Sequence, residues 1–160
     1  TEPIVVACHP DHPLATRRST TLESLCGEQF VAFQEGLKIR EEIDRALALR
    51  KVSIKVALEF DNIETIKRAI EINAGISLLP EPTVTREIDS GVLVQIPLEG
   101  EPLARSLGII HRRDRNLSET ALQFIELLRS QAQPVEINSS VALAKSNGQQ
   151  MAQKKTKVAG

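Results

Sequence analysis

The chain contains no tryptophan and no tyrosine, and only four phenylalanines among 160 residues. Aromatic platforms that stack the bases of single-stranded nucleic acid are therefore not on offer, and any core must be assembled from Ile, Leu, Val and Ala. An excess of either charge is also missing. With 20 Lys and Arg against 21 Asp and Glu, no overall basic field exists to hold a phosphate backbone, so the chain is not expected to bind DNA itself. Cysteine is scarce: Cys8 and Cys26 do not make a disulfide framework, and no positively charged leader precedes an apolar segment, so a reducing cytoplasm is the expected setting. No apolar run reaches membrane length, and no membrane partner is expected. The first residue is Thr1 rather than an initiator Met, and the chain is read as part of a longer protein.

What is present suffices for one domain with a real core, since 41% of the residues are hydrophobic. Residues 58–80, LEFDNIETIKRAIEINAGISLLP, organise the rest. Ile54, Val56, Leu58 and Phe60 alternate as in a half-buried strand. Asp61 stands where a helix N-cap belongs, with Glu64 three residues on to complete a capping box and the helix starting at Asn62. Ile63, Ile66, Ala69 and Ile70 recur at helical spacing, while Glu64, Lys67, Arg68 and Glu71 are expected to face solvent and Gly75 to end the helix. Residues 76–79 re-enter a sheet. The unit predicts a βαβ crossover of parallel strands, with a cleft at their carboxyl ends where ligands of open α/β sheets bind.

The remaining chain reads as further α/β units. Residues 4–8 form a buried strand stopped by Pro10 and Pro13. His9 and His12 have a metal-pair spacing without further ligands, which favours a structural or solvated role, and no metal or cofactor is expected. Cys8 beside His9 reads as inert core, because adjacent strand residues point to opposite faces. Residues 30–33 form a strand, the loop Gln34, Glu35 and Gly36 follows, and residues 37–49 form a helix with Ile39, Ile43, Ala46 and Leu47 on its apolar face. Lys38 and Arg40 are either ligand contacts or solvated charges on that helix. Phe60 is either core or a ligand shelf, and Asp61 is already explained as a cap. Residues 81–90 predict a short irregular helix ended by Gly91, residues 93–97 a strand, and residues 107–111 an apolar strand. Ser118 caps a last helix whose apolar face is Ala121, Leu122, Ile125 and Leu128, with Leu117 and Leu122 at staple positions. The cluster Arg112, Arg113 and Arg115 is interrupted by Asp114 and reads as a solvated loop. From residue 132 periodicity vanishes, and a disordered tail is expected.

The pattern I-x-x-I-K-x-A-I followed by A-G-I-S-L-L-P resembles the effector-binding domain of LysR-type transcriptional regulators. The resemblance extends upstream to VVACHPDHPLA at residues 5–15 and the Leu-bearing turn at 22–25. Downstream it takes in the turn and strand at 91–94, the turn Pro102, Leu103, Ala104 and Arg105, and the strand and helix at 109–128. It thus covers about residues 3–130 in order.

The resemblance implies an α/β, periplasmic-binding-protein-like (type 2) two-lobed fold, with one lobe nearly complete and the return part of the other. Residues 1–8 would cross between lobes, 9–85 would form the second lobe, and 92–131 would return to the first. The opening part of the domain and the winged helix-turn-helix that reads DNA would be missing, which would leave residues 107–110 and the last helix with exposed apolar faces. It also implies a ligand site at Gln34, Glu35, Gly36, Lys38, Arg40, Phe60, Asp61 and Asn62, taking a small-molecule effector: an organic acid, a phosphate-bearing metabolite or an anion. Leu37, Lys38 and Ile39 stand before Arg40 where anion-binding members often carry Ser or Thr, which argues against an inorganic anion. A homo-oligomer, dimer or tetramer, is implied, with the 37–49 helix and its exposed Leu37 and Leu49 at the interface. The expected function is ligand sensing in a transcription regulator, not catalysis. A solute-binding protein of a transport system would share the fold. An enzyme built on it would need a nucleophile, an acid–base pair or a metal constellation, and none stands out.

Overall fold

The computed structural model describes residues 1–100, 102–112, 114 and 116–131. The expected tail from 132, and Arg113 and Arg115 of the basic loop, lie outside the described residues.

The core is built around β1 (Glu2–Cys8), whose residues from Ile4 onward are all buried. Antiparallel partners flank it: β4 (Ser77–Pro80), β5 (Val94–Ile96) and the two-residue β6 (Ala104–Arg105). A second pair, β2 (Gln29–Phe33) and β3 (Lys55–Phe60), is parallel. The two sets are joined at Ile76, whose N–H donates to the Gln29 carbonyl at 2.9 Å and whose carbonyl accepts from the Val31 N–H at 2.8 Å. The resulting strand sequence β3, β2, β4, β1, β5 is a mixed sheet, and α1 (Lys38–Leu49) and α2 (Ile63–Glu71) connect its parallel members. The described residues also form a 3₁₀ turn (Glu81–Thr83), α3 (Thr85–Asp89) and α4 (Glu119–Gln131).

Of the expected apolar faces, Ile39, Ile43, Ala46 and Leu47 on α1 and Ile66, Ala69 and Ile70 on α2 are buried, and Ile63 is half-buried against the core. Several expectations are corrected. The parallel neighbour of β3 is β2, because α2 carries the chain across β2 before β4 begins. As the outermost strand, β3 leaves Val56 and Leu58 about 40% exposed instead of half-buried. The N-cap of α2 is Asn62 and not Asp61: Asn62 Oδ1 accepts from the Glu64 N–H at 2.8 Å, while Asp61 is exposed. Lys67 is 5% exposed and does not face solvent.

The chain leaves α2 through Asn73, at φ 58°, before reaching Gly75. Gly75 serves the strand junction instead, since a Cβ there would lie 2.6 Å from the Gln29 carbonyl oxygen. Residues 107–111 form no strand, and Leu107, Ile109 and Ile110 are exposed. On α4, capped as expected by Ser118 accepting from the Ala121 N–H at 3.2 Å, Leu122 and Leu128 are exposed and Ala121 and Ile125 only half-buried. Leu37 packs against the core, whereas Leu49 is exposed as expected.

Candidate ligand-binding site

Strands β2 and β3 run parallel and end side by side, so the loops that follow them emerge at the same edge of the sheet. The Gln34 N–H donates to the Phe60 carbonyl at 2.9 Å and ties the two exits together. Beyond that bond, Gln34, Glu35 and Gly36 are exposed, and Gly36 turns the chain at φ 86°, a left-handed conformation that side chains disfavour. Leu37 then begins α1 in extended conformation. No side chain among the described residues caps this end. The unbonded N–H groups of the first turn, added to the helix dipole, make a place where negative charge is stabilised. The start of α2 differs, because the Asn62 side chain already occupies its first turn.

Of the eight candidate residues, Gln34, Glu35, Gly36, Lys38, Asp61 and Asn62 are exposed on the two neighbouring loops and helix starts. Phe60 is half-buried against the core. Lys38 pairs with Glu41 at 3.2 Å. Arg40 is 8% exposed and turns away from the loops toward the strands. Its Nη1 donates to the Phe33 carbonyl at 2.5 Å and to Glu59 Oε1 at 2.6 Å, and its Nε donates to Asp44 Oδ2 at 2.8 Å. Burial acts to lower the guanidinium pKa, but the hydrogen bonds and charges of Glu59 and Asp44 outweigh it and hold the group firmly protonated. Neither a solvated cation nor a group open to a ligand describes Arg40. Sequence reasoning passed over Glu59 and Asp44; the Arg40–Asp44 spacing of four was a legible signal, whereas Glu59 was not.

The histidines have local structural tasks. His9 Nδ1 accepts from the Asp11 N–H at 3.1 Å, and His12 Nδ1 accepts from the Leu14 N–H at 3.2 Å, capping the 3₁₀ turn Pro13–Thr16. No group of three or more His, Cys, Asp or Glu among the described residues could hold a metal ion. Cys8 is buried, which pushes its thiol up to about 11. No helix among the described residues is long and apolar enough to cross a membrane. A hollow of about 300 Å³ lies between α1 and residues 102–104, lined by Glu42, Arg45, Leu49 and Leu103 among others. It includes none of the eight candidates.

Residues 1–133 match the model of the LysR substrate binding domain. The RuBisCO operon transcriptional regulator of Allochromatium vinosum is 33% identical over 130 residues, which is 81% of this chain and 43% of that protein. Among solved structures, the Synechocystis CcmR regulatory domain in complex with 2-PG superposes with a TM-score of 0.68 at 26% identity, covering 84% of this chain and 64% of that one. The effector-binding domain of QuiR in complex with shikimate has the same fold, with a TM-score of 0.62 at 17% identity over 81% of this chain and 61% of its own. The chain thus spans about two fifths of the length of the curated relative.

Proposed function

The chain belongs to the LysR substrate-binding domain family, with the periplasmic-binding-protein-like α/β fold of its effector-binding domains, and we infer that it senses a small anionic metabolite for a LysR-type transcriptional regulator. The observation that carries this reading is the open amino end of α1, set beside the β3–α2 loop by the bond from Gln34 to Phe60. An anionic group of the effector sits against the first-turn N–H groups, and Gln34, Glu35, Asp61 and Asn62 offer polar contacts to the rest of it. That the CcmR domain was solved with 2-PG supports a small ligand for this fold. The regulator acts in the cytoplasm, as a dimer or tetramer, and contacts DNA through a region other than this chain.

Residues 1–8 form one crossing between lobes and residues 104–105 accompany the return, an arrangement supported by the pairing of β1 with β6 and by the Arg105 Nη2 bond to Glu2 Oε2 at 2.6 Å. Residues 9–85 form the second lobe, and 92–131 return to the first. The rest of the first lobe covers the exposed apolar side chains of Leu107, Ile109, Ile110, Phe124 and Leu127. Effector binding closes the lobes and changes how the domains pack, which requires a ligand that prefers one arrangement over the other.

The test is a thermal-shift titration of the chain, joined to the rest of its first lobe, with 2-PG, shikimate, inorganic phosphate and simple carboxylates. A saturable rise is expected for at least one compound, since a ligand present at about 100 times its Kd stabilises the native state by about 2.7 kcal/mol. The rise should be reduced by Gly36→Val and by Lys38→Ala. Melting temperatures unmoved by every compound would overturn the assignment.

A further inference from the structure

Arg40 is the third residue of α1, so its backbone N–H belongs to the first turn while its side chain runs back to the strands. There the guanidinium reaches three places at once: the carbonyl of Phe33, the last residue of β2; Glu59, next to the last residue of β3; and Asp44, one helical turn along α1. The bond to Phe33 lies one residue before the tie from Gln34 to Phe60. The two strand exits are therefore fastened twice in succession, once by backbone and once through Arg40. A planar fork with several donors in fixed directions can do this; an ammonium cannot reach all three acceptors with comparable geometry. Glu59 and Asp44 together more than neutralise the guanidinium charge, which leaves little attraction for an anion outside.

We propose that Arg40 is a positioning residue for the effector site: its guanidinium locks the first turn of α1 against the ends of β2 and β3, and so sets the direction of the N–H groups that receive the ligand. This rests on the reading of the site given above. It converts a flexible loop-and-helix start into a preorganised one, which lowers the ordering cost of binding. It also makes Glu59, on the outer strand, a determinant of affinity without touching the ligand.

The experiment has two arms so that the site and the positioning role can fail separately. In the first, amide hydrogen exchange is followed without ligand at Gln34, bonded to the Phe60 carbonyl, and at Glu41, bonded to the Leu37 carbonyl, with the Ile66 amide of α2 as control. Glu59→Ala and Arg40→Lys are expected to speed exchange at Gln34 and Glu41 about tenfold and to leave Ile66 unchanged, with Glu59→Gln, which keeps an acceptor, restoring most of the protection. Unchanged rates at Gln34 and Glu41, or equal acceleration at all three amides, would overturn the proposal whether or not any ligand binds. In the second arm, 2-PG is titrated by calorimetry into the chain joined to the rest of its first lobe. Glu59→Ala is expected to weaken binding at least fivefold. If Arg40 were itself a ligand group, deleting Glu59 would free it and tighten binding; tighter or unchanged affinity therefore overturns the proposal. Absence of 2-PG binding to the otherwise unaltered two-lobed protein counts against 2-PG as a ligand of the site, and the exchange arm then decides the positioning role alone.

Discussion

Lys67 Nζ donates to Glu87 Oε1 at 2.9 Å, and this bond joins α2 to α3 beneath the surface. The same ammonium donates to the Thr83 carbonyl at 3.1 Å and lies 2.8 Å from Glu64 Oε1. A cation that helical periodicity placed in water is thus a buried link between two segments 20 residues apart in sequence.

Removing that link should be costly. Lys67→Met leaves the half-buried Glu87 carboxylate without its cation, and a loss of about 2 kcal/mol is expected in urea denaturation, the scale of a hydrogen bond to a charged group. The pH dependence should weaken as well. Burial acts to raise the Glu87 carboxyl, but the hydrogen bond and charge of Lys67 outweigh it and hold it below its ordinary value of 4.5. A depressed carboxyl stabilises the fold above its unfolded value and loses that contribution as pH falls through the folded one. Without Lys67, burial is still opposed by the backbone hydrogen bond of Glu87 and the charge of Arg86, so the folded carboxyl rises and the variant should lose less stability than the parent as pH falls from about 6 to 4. Comparing denaturation midpoints of both proteins across this range checks the difference.

Gly75→Ala should destabilise far more than Gly36→Ala. At Gly75 the new Cβ meets the Gln29 carbonyl oxygen at 2.6 Å, and backbone must move at the junction between β2 and β4. A cost of about 3 kcal/mol is expected from such overpacking. At Gly36, where nothing lies within 4 Å, only the left-handed backbone is penalised, by about 1 kcal/mol. Equal costs in chemical denaturation would contradict the close approach at Gly75.

The start of α2 gives a paired test. Asn62→Ala removes the Oδ1 acceptor of the Glu64 N–H and should cost about 1 kcal/mol. Asp61→Ala, at an exposed residue outside the cap, should stay within about 0.5 kcal/mol of the parent. The reverse order would restore Asp61 as the cap.

The two thiols should react at very different rates. Cys26 is exposed, whereas Cys8 is buried and its thiol is pushed up to about 11. At neutral pH a disulfide reagent should modify Cys26 rapidly and reach Cys8 only on unfolding, because thiolate fraction and access both limit attack. Rapid modification of both in the native chain would show that β1 opens readily.

Much of this architecture was legible beforehand because it is local. Ile39, Ile43, Ala46 and Leu47 repeat at the helical period and are buried, and so are Ile66, Ala69 and Ile70. The β2–α1 and β3–α2 loops were placed at strand ends from the alternation of strand and helix alone. Errors arose where one residue had two local explanations, as with Asp61 and Asn62 at the cap, or where a partner came from far away. Residues 107–110 have the composition of a strand, but no neighbouring strand among the described residues offers them hydrogen bonds.

The sequence by itself determined the order of strands and helices from β1 to β5, the buried faces of α1 and α2, and the ordered motifs of the family, because each depends on residues within a few positions of one another. Only the tertiary structure decided that β3 lies beside β2, that Gly75 must lack a side chain because of Gln29, and that Lys67 and Arg40 are interior. Glu59 stands 19 residues from Arg40 and Glu87 stands 20 from Lys67. A long basic side chain reads the same in sequence whether it ends in water or against a distant carboxylate; the packing of the elements chooses between them, by removing water and supplying the partner.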